Sequence, residues 1–144
     1  MAVQTAYNDR IATAYNGMVA DQRLTEIISR EVEDATLAIG RAVIQGTADD
    51  QVKVGAAGVY IGVTVKDVTL PPESGDVYQE GNTAAIITRG AIWVTVGGDV
   101  AAGAAVYRDA TGVLSATSTD NTLVDNAMWG TTASNGNLAL LILK

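Results

Sequence analysis

The chain has no cysteine and no histidine. Without thiols it can form no disulfide and no thiolate nucleophile or ligand, and without imidazole it lacks the commonest general base and a common metal ligand. None of Ser29, Ser74, Ser115, Ser118 or Ser134 sits in a Gly-x-Ser-x-Gly elbow, so nucleophilic hydrolysis has neither its turn nor its base. Phenylalanine is absent as well. The only prolines are the adjacent Pro71 and Pro72, which cannot donate to a strand ladder and so predict a loop at a sheet edge. Positive charge is sparse, with 9 Lys and Arg against 16 Asp and Glu, a net charge of −7 and a pI near 4.3. Those nine cations never cluster, whereas phosphate binding needs a concentrated patch, and the prediction is no nucleic-acid partner. Residues 1–10 carry no basic segment followed by an apolar one, and no apolar run approaches the roughly 18 residues of a membrane span. Neither a signal peptide nor a membrane partner is expected.

What is present points to strands. The 48% hydrophobic content rests on Ala, Val, Ile and Leu, and 15 glycines punctuate short apolar runs. That is the profile of an all-β domain with tight turns, a small β-barrel or β-sandwich. Residues 86–114 organise it, reading as strand, turn, strand, turn, strand, with Gly97-Gly98 ending the first run. Alternation puts Ile86, Thr88, Ile92, Val94 and Val96 on a core face, and Ile87, Arg89, Trp93 and Thr95 on a mixed face suited to a seam.

Taken in order, residues 1–26 are read as an extended N-terminal arm and 27–144 as a single β-rich body. The arm holds an echo, Thr5-Ala6-Tyr7-Asn8 and Thr13-Ala14-Tyr15-Asn16, followed by Gly17-Met18. Residues 24–34 fit helical and strand spacing, with strand preferred. Residues 37–46 form one apolar piece. Residues 59–66 alternate clearly, with Val59, Ile61, Val63 and Val65 inward and Tyr60, Thr64 and Lys66 outward. Residues 115–125 are polar and turn-rich, 127–131 suggest a short strand, and 138–143 are apolar on both faces, which predicts a central strand.

Chemistry-bearing clusters are few. Asp49-Asp50, Glu31 with Glu33, and Asp120 with Asp125 are the carboxylate pairs, all in polar segments where solvated surface is the default. Gly55-Ala56-Ala57-Gly58 precedes a strand instead of opening a helix, so it reads as a hairpin turn and not a phosphate loop. No enzyme activity, metal or cofactor is expected. A barrel enzyme would require a pocket joining Tyr107 and Arg108 to a carboxylate of shifted pKa.

Met1-Ala2-Val3-Gln4-Thr5-Ala6-Tyr7, Gly40-Arg41-Ala42-Val43-Ile44-Gln45-Gly46-Thr47-Ala48-Asp49-Asp50, Gly62-Val63-Thr64-Val65-Lys66-Asp67-Val68-Thr69-Leu70 and Gly90-Ala91-Ile92-Trp93-Val94-Thr95-Val96, the last followed by Val100-Ala101-Ala102-Gly103 and Val106-Tyr107, make up an ordered signature. In these stretches, which span nearly the whole chain, the sequence resembles the head decoration, or cement, proteins of tailed bacteriophages. The resemblance implies a structural virion protein, made in the host cytoplasm, that binds the outside of the capsid and clamps neighbouring major capsid subunits. It also implies a homo-oligomer, a trimer being favoured over a dimer, and an arm that reaches adjacent subunits. Tyr7 and Tyr15 as arm anchors, with Met18, Trp93 and Arg89, are the expected capsid or subunit interface, since Tyr, Trp and Arg dominate hot spots. The rival expectation is a carbohydrate- or host-binding module that stacks sugars on Trp93, Trp129 and Tyr60.

Overall fold

A computed structural model describes residues 14–21, 23–67 and 77–144. Tyr7 and the Pro71-Pro72 segment lie outside them. The described residues hold twelve strands and no helix: β1 (Met18–Val19), β2 (Glu26–Val32), β3 (Thr36–Ala38), β4 (Ala42–Gln45), β5 (Gln51–Lys53), β6 (Tyr60–Thr64), β7 (Val77–Gln79), β8 (Thr83–Thr95), β9 (Ala105–Arg108), β10 (Leu114–Ser115), β11 (Thr122–Trp129) and β12 (Leu138–Leu143). The protein is all-β, as composition predicted.

Five strands close a small barrel. β8 pairs with β2, β2 with β5, β5 with β4, β4 with β6, and β6 returns to β8, every pairing antiparallel except β2 with β5. β8 has 13 residues, about 43 Å of extended chain, more than the barrel uses. Its second half runs on into a wing sheet, ordered β8-β12-β11-β9-β10, with β1 on its other edge. One strand therefore belongs to two sheets. A separate pair, β3 with β7, stands beside the barrel.

The change of sheet explains why simple alternation misassigns β8. Arg89 is opposite Glu26 but Ile87 is opposite Ile27, so Thr88 is an extra residue, and Gly90 takes φ +127. A bulge of this kind inverts the faces beyond it. Ile87, not Ile86 or Thr88, shares a core with Ile92, Val94 and Val96, while Ile86 joins a second core. The same device acts in β6, where Val43 faces Gly62 and Ile44 faces Tyr60, leaving Ile61 unopposed. Tyr60 and Val63 therefore point to one side, Thr64 is buried, and Val59, expected inward, is 70% exposed just before the strand.

The two cores fill two layers. One draws Ile28 and Val32 from β2, Val43 from β4, Val52 from β5, Ile61 from β6 and Ala84 and Ile86 from β8, which is a contribution from every barrel strand and marks the barrel interior. Leu37 of β3 and Tyr78 of β7 close it, and the Tyr78 hydroxyl donates to the Val65 carbonyl at 2.8 Å. The other core packs Ala42, Val63 and Ile87 from the barrel's outer side against Val106, Val124, Trp129, Ala139 and Leu141 of the wing. Residues 37–46 are two strands, not one piece, because Gly40 turns the chain at φ +70. Residues 115–125, expected as turn, supply part of β10 and the start of β11.

Candidate functional site

Directly opposed residues in a sheet share a face. Met18 is opposite Trp93 and Trp93 opposite Leu140, while Ala91 is opposite Ile142 and Ile142 opposite Met128. Their neighbours Ile92, Val94, Ala139 and Leu141 point the other way, into the wing core. Met18, Trp93, Leu140, Ile142 and Met128, with Leu138, are therefore on the wing's outer side, and each is only half-buried. An antiparallel sheet with one free side normally turns polar residues to it. Here that side is apolar. A β-carbon on Gly130 would meet both Leu140 and Ile142 at 3.0 Å, so these two side chains lean over the bare glycine and extend the surface.

Of the residues expected at an interface, Met18 and Trp93 are neighbours on this surface. Tyr15 stands at one end of it, with the Lys66 ammonium 4.9 Å from its ring centroid, in a cleft of about 380 Å³ that Asn16, Ile39, Arg41 and Val77 also line. Asn16 straps that end down, donating to the Ile39 carbonyl at 3.0 Å and accepting from the Thr95 N–H at 3.2 Å. Arg89 is exposed at the other end, six residues or about 20 Å away along β8, beside Arg23, Leu24, Ile142 and Lys144. Sequence reasoning named neither Leu140, Ile142 nor Met128. The signal was there, in a closing strand apolar on both faces.

The chemistry-bearing clusters resolve into structural roles. Arg108 is 3% exposed and donates to the carbonyls of Gly55 at 2.6 Å and Gly58 at 3.4 Å, pinning the glycine turn. Among the described residues no carboxylate pairs with it, so the pocket a barrel enzyme would require is missing there. Nor do three carboxylates converge as metal ligands among the described residues. Glu33 accepts from the Thr47 hydroxyl at 2.5 Å and N–H at 2.9 Å, which, with Lys53 at 3.9 Å, lowers its pKa. Trp129 is fully buried and donates its indole N–H to the Ser115 carbonyl. Tyr60 packs on the wing core, its buried hydroxyl pushed up in pKa by desolvation against the charge of Arg108. Trp93, Trp129 and Tyr60 thus share no platform on which a sugar could stack.

Asp109 shows a second kind of structural acid. Burial alone would raise its pKa, but the Thr111 hydroxyl at 2.7 Å, the Thr111 N–H at 2.8 Å, the Val113 N–H at 3.0 Å and the charge of Arg41 hold it below the ordinary value. A depressed folded-state pKa contributes stability that is complete above about pH 4 and fades as pH falls through that lowered value. Asp109→Ala is expected to cost about 1–2 kcal/mol at pH 7 in urea titrations and progressively less below pH 4. An equal cost at pH 7 and pH 2.5 would contradict the assignment.

A closed barrel carrying a sheet with an apolar outer side is a build suited to contact with other proteins. Residues 3–144 match the family described as structural cement protein (E217 gp24/Pam3 gp6), and the chain belongs to this phage cement family. It is accordingly a structural cement protein of a phage, and the family favours a non-catalytic role. In fold it is similar to a chain of the capsid of Myoviridae phage XM1, at 21% identity and TM-score 0.74, covering 100% of this chain and 98% of that one. It is also similar to the head fiber gp8.5 N base of bacteriophage phi29, at 15% identity and TM-score 0.54, covering 84% and 95% respectively. No curated protein matches it by sequence.

Proposed function

We propose that the chain is a fastener on the outer surface of the phage head, gripping neighbouring major capsid subunits and holding them against the outward load of packaged DNA. The observation that carries this reading is the apolar outer side of the wing, where Met18, Trp93, Leu140 and Ile142 remain partly exposed with no second layer above them among the described residues. Apolar surface of that kind marks a protein contact. Residues 1–26 act as the arm, with Tyr7 and Tyr15 as its anchors, and Arg89 borders the contact. A homo-oligomer, favoured as a trimer, makes the second and third contacts intramolecular and raises avidity by about 10²–10⁴ over a single interface of roughly 800 Å² per partner. Binding only the assembled lattice then stabilises that lattice by mass action.

Co-sedimentation with purified heads tests it. Trp93→Ser is expected to lower head affinity about 30-fold or more, as for a central hot spot, while the thermal transition moves by only a few degrees. Removing residues 1–13, which keeps β1 and its pairing with β8, is expected to lower occupancy further without unfolding the body. Wild-type occupancy from both variants would reject the clamp.

A further inference from the structure

β2 outruns the strand that closes the ring against it. β5 meets it only at Glu31 and Val32, so along residues 26–29 the edge turned away from β8 has no strand beside it among the described residues. The N–H groups of Glu31 and Glu33 donate towards that side, to the Asp50 and Val52 carbonyls at 2.9 and 3.0 Å, and by alternation those of Ile27 and Ser29 point the same way. Glu26 and Ser29 are exposed and Ile27 is 48% exposed. An open edge of this kind pairs with any extended chain it meets, and β2 carries neither Pro nor Lys to blunt it.

The Thr-Ala-Tyr-Asn echo supplies a chain to cover it. In its second copy, residues 13–16, the Asn16 carboxamide fastens to backbone groups of Ile39 and Thr95. Tyr15 opens a turn, its carbonyl accepting from the Met18 N–H at 3.1 Å, and β1 runs from Trp93 towards Ile92, so the turn sends the preceding chain back towards the Arg89 end of β8. Six residues of β8 separate Thr95 from Arg89, about 20 Å at most, and Glu26 is opposite Arg89. The first copy, residues 5–8, lies eight residues ahead of the second, a reach of about 26 Å. Asn8 can therefore stand at Glu26 of its own chain. We infer that residues 5–8 add to β2 as an antiparallel strand, with Asn8 opposite Glu26, Tyr7 opposite Ile27, Ala6 opposite Ile28 and Thr5 opposite Ser29. Tyr7 then covers the exposed Ile27, the small Ala6 passes Ile28, and Tyr7 and Thr5 exchange backbone hydrogen bonds with Ile27 and Ser29. The tether holds this segment at an effective concentration of the order of millimolar, which favours it over a second copy. The inference rests on the arm reading above and deepens it: Tyr7 is held on β2 in the free protein and passes to the capsid where the head offers the stronger contact.

Amide hydrogen exchange of the full chain, free and bound to heads, tests the assignment. The Ile27 and Ser29 N–H groups are expected to exchange at least about tenfold more slowly in the free wild type than in Thr5→Pro, which removes a donor aimed at β2 and leaves the body untouched. Ala6→Pro, at a position whose N–H points away from β2, is expected to keep the protection. Rapid exchange at both positions in the free wild type would overturn the assignment, as would protection that Thr5→Pro leaves unchanged. Protection lost on dilution would give the edge to a second copy, and protection that arises only on heads would give it to a capsid segment; either result overturns the assignment. The grip of the arm on the head is read separately, by co-sedimentation of the chain lacking residues 1–13, so each reading can fail without the other.

Discussion

Gly62→Val is expected to leave the protein without a cooperative folding transition. Gly62 sits in β6 opposite Val43, just before the seam where Val63 and Thr64 meet Ile87 and Ile86 of β8. A β-carbon there would lie 2.3 Å from the Ile87 carbonyl oxygen and 3.1 Å from its carbon. The third close atom, a methyl of Ile86 at 2.7 Å, could rotate away, but the Ile87 carbonyl belongs to the backbone of the closing strand. Relief therefore requires the β6–β8 seam to open by about 1 Å, which breaks ladder hydrogen bonds and bares two strand edges. The expected cost exceeds about 4 kcal/mol, in the range reserved for overpacking and broken networks. Loss of a sigmoidal melt by circular dichroism and aggregation on size exclusion are the readouts. Gly62→Ala already carries the offending atom and is expected to fail in the same direction. Gly136→Ala is the control, since its φ is +85 with nothing within 4 Å, so it carries backbone strain alone, about 1 kcal/mol. A wild-type melt for Gly62→Ala would sink the closure argument.

This glycine also marks where sequence stops being informative. Alternating β-branched residues and scattered glycines specify an all-β chain because those signals are local. For the same reason, the apolar double face of 138–143 correctly predicted a central strand, and β12 does lie between β11 and β8. Which residues face which core is another matter. The faces of β8 invert at Thr88 because the strand must leave the barrel for the wing, and the faces of β6 invert at Ile61 because the ring must close. Both bulges answer to strands distant in sequence, and no window of neighbouring residues contains that demand. The buried Thr64 follows from it: its hydroxyl donates to the Ala38 carbonyl at 2.8 Å and accepts from the Arg41 N–H at 3.0 Å, a role visible only once β3 and β4 are folded beside it. At the candidate site, Trp93 and Met18 were legible as interface types. Their juxtaposition was not, since it depends on β1 pairing with β8.

Trp129→Ala is expected to lower the stability of the body by about 3–5 kcal/mol, the usual range for truncating a fully buried large aromatic. The ring lies in the core between wing and barrel, with β12 beside it through Leu141 and the Gly103 N–H donating to the Trp129 backbone carbonyl at 2.6 Å. Its removal leaves a cavity where the two layers meet and strips the Ser115 carbonyl of its indole donor, set at 3.3 Å. For a chain of this size the melting temperature should fall by on the order of 10–20 °C, with the urea midpoint following. Trp129→Phe keeps most of the volume and loses the hydrogen bond, so it should cost about 1–2 kcal/mol. The contrast with Trp93 is what gives the experiment its force. Trp93 faces outward from the same sheet, so Trp93→Ser should weaken head binding about 30-fold or more at nearly constant melting temperature, whereas Trp129→Ala should weaken binding only as far as the wing loosens under its outer surface. Iodide quenching separates the two rings independently: the Trp129→Phe protein, lit by Trp93 alone, should be quenched readily, and the Trp93→Ser protein hardly at all. Equally weak quenching in both would mean that Trp93 is covered within the monomer, and the wing's outer side could not then be the gripping surface.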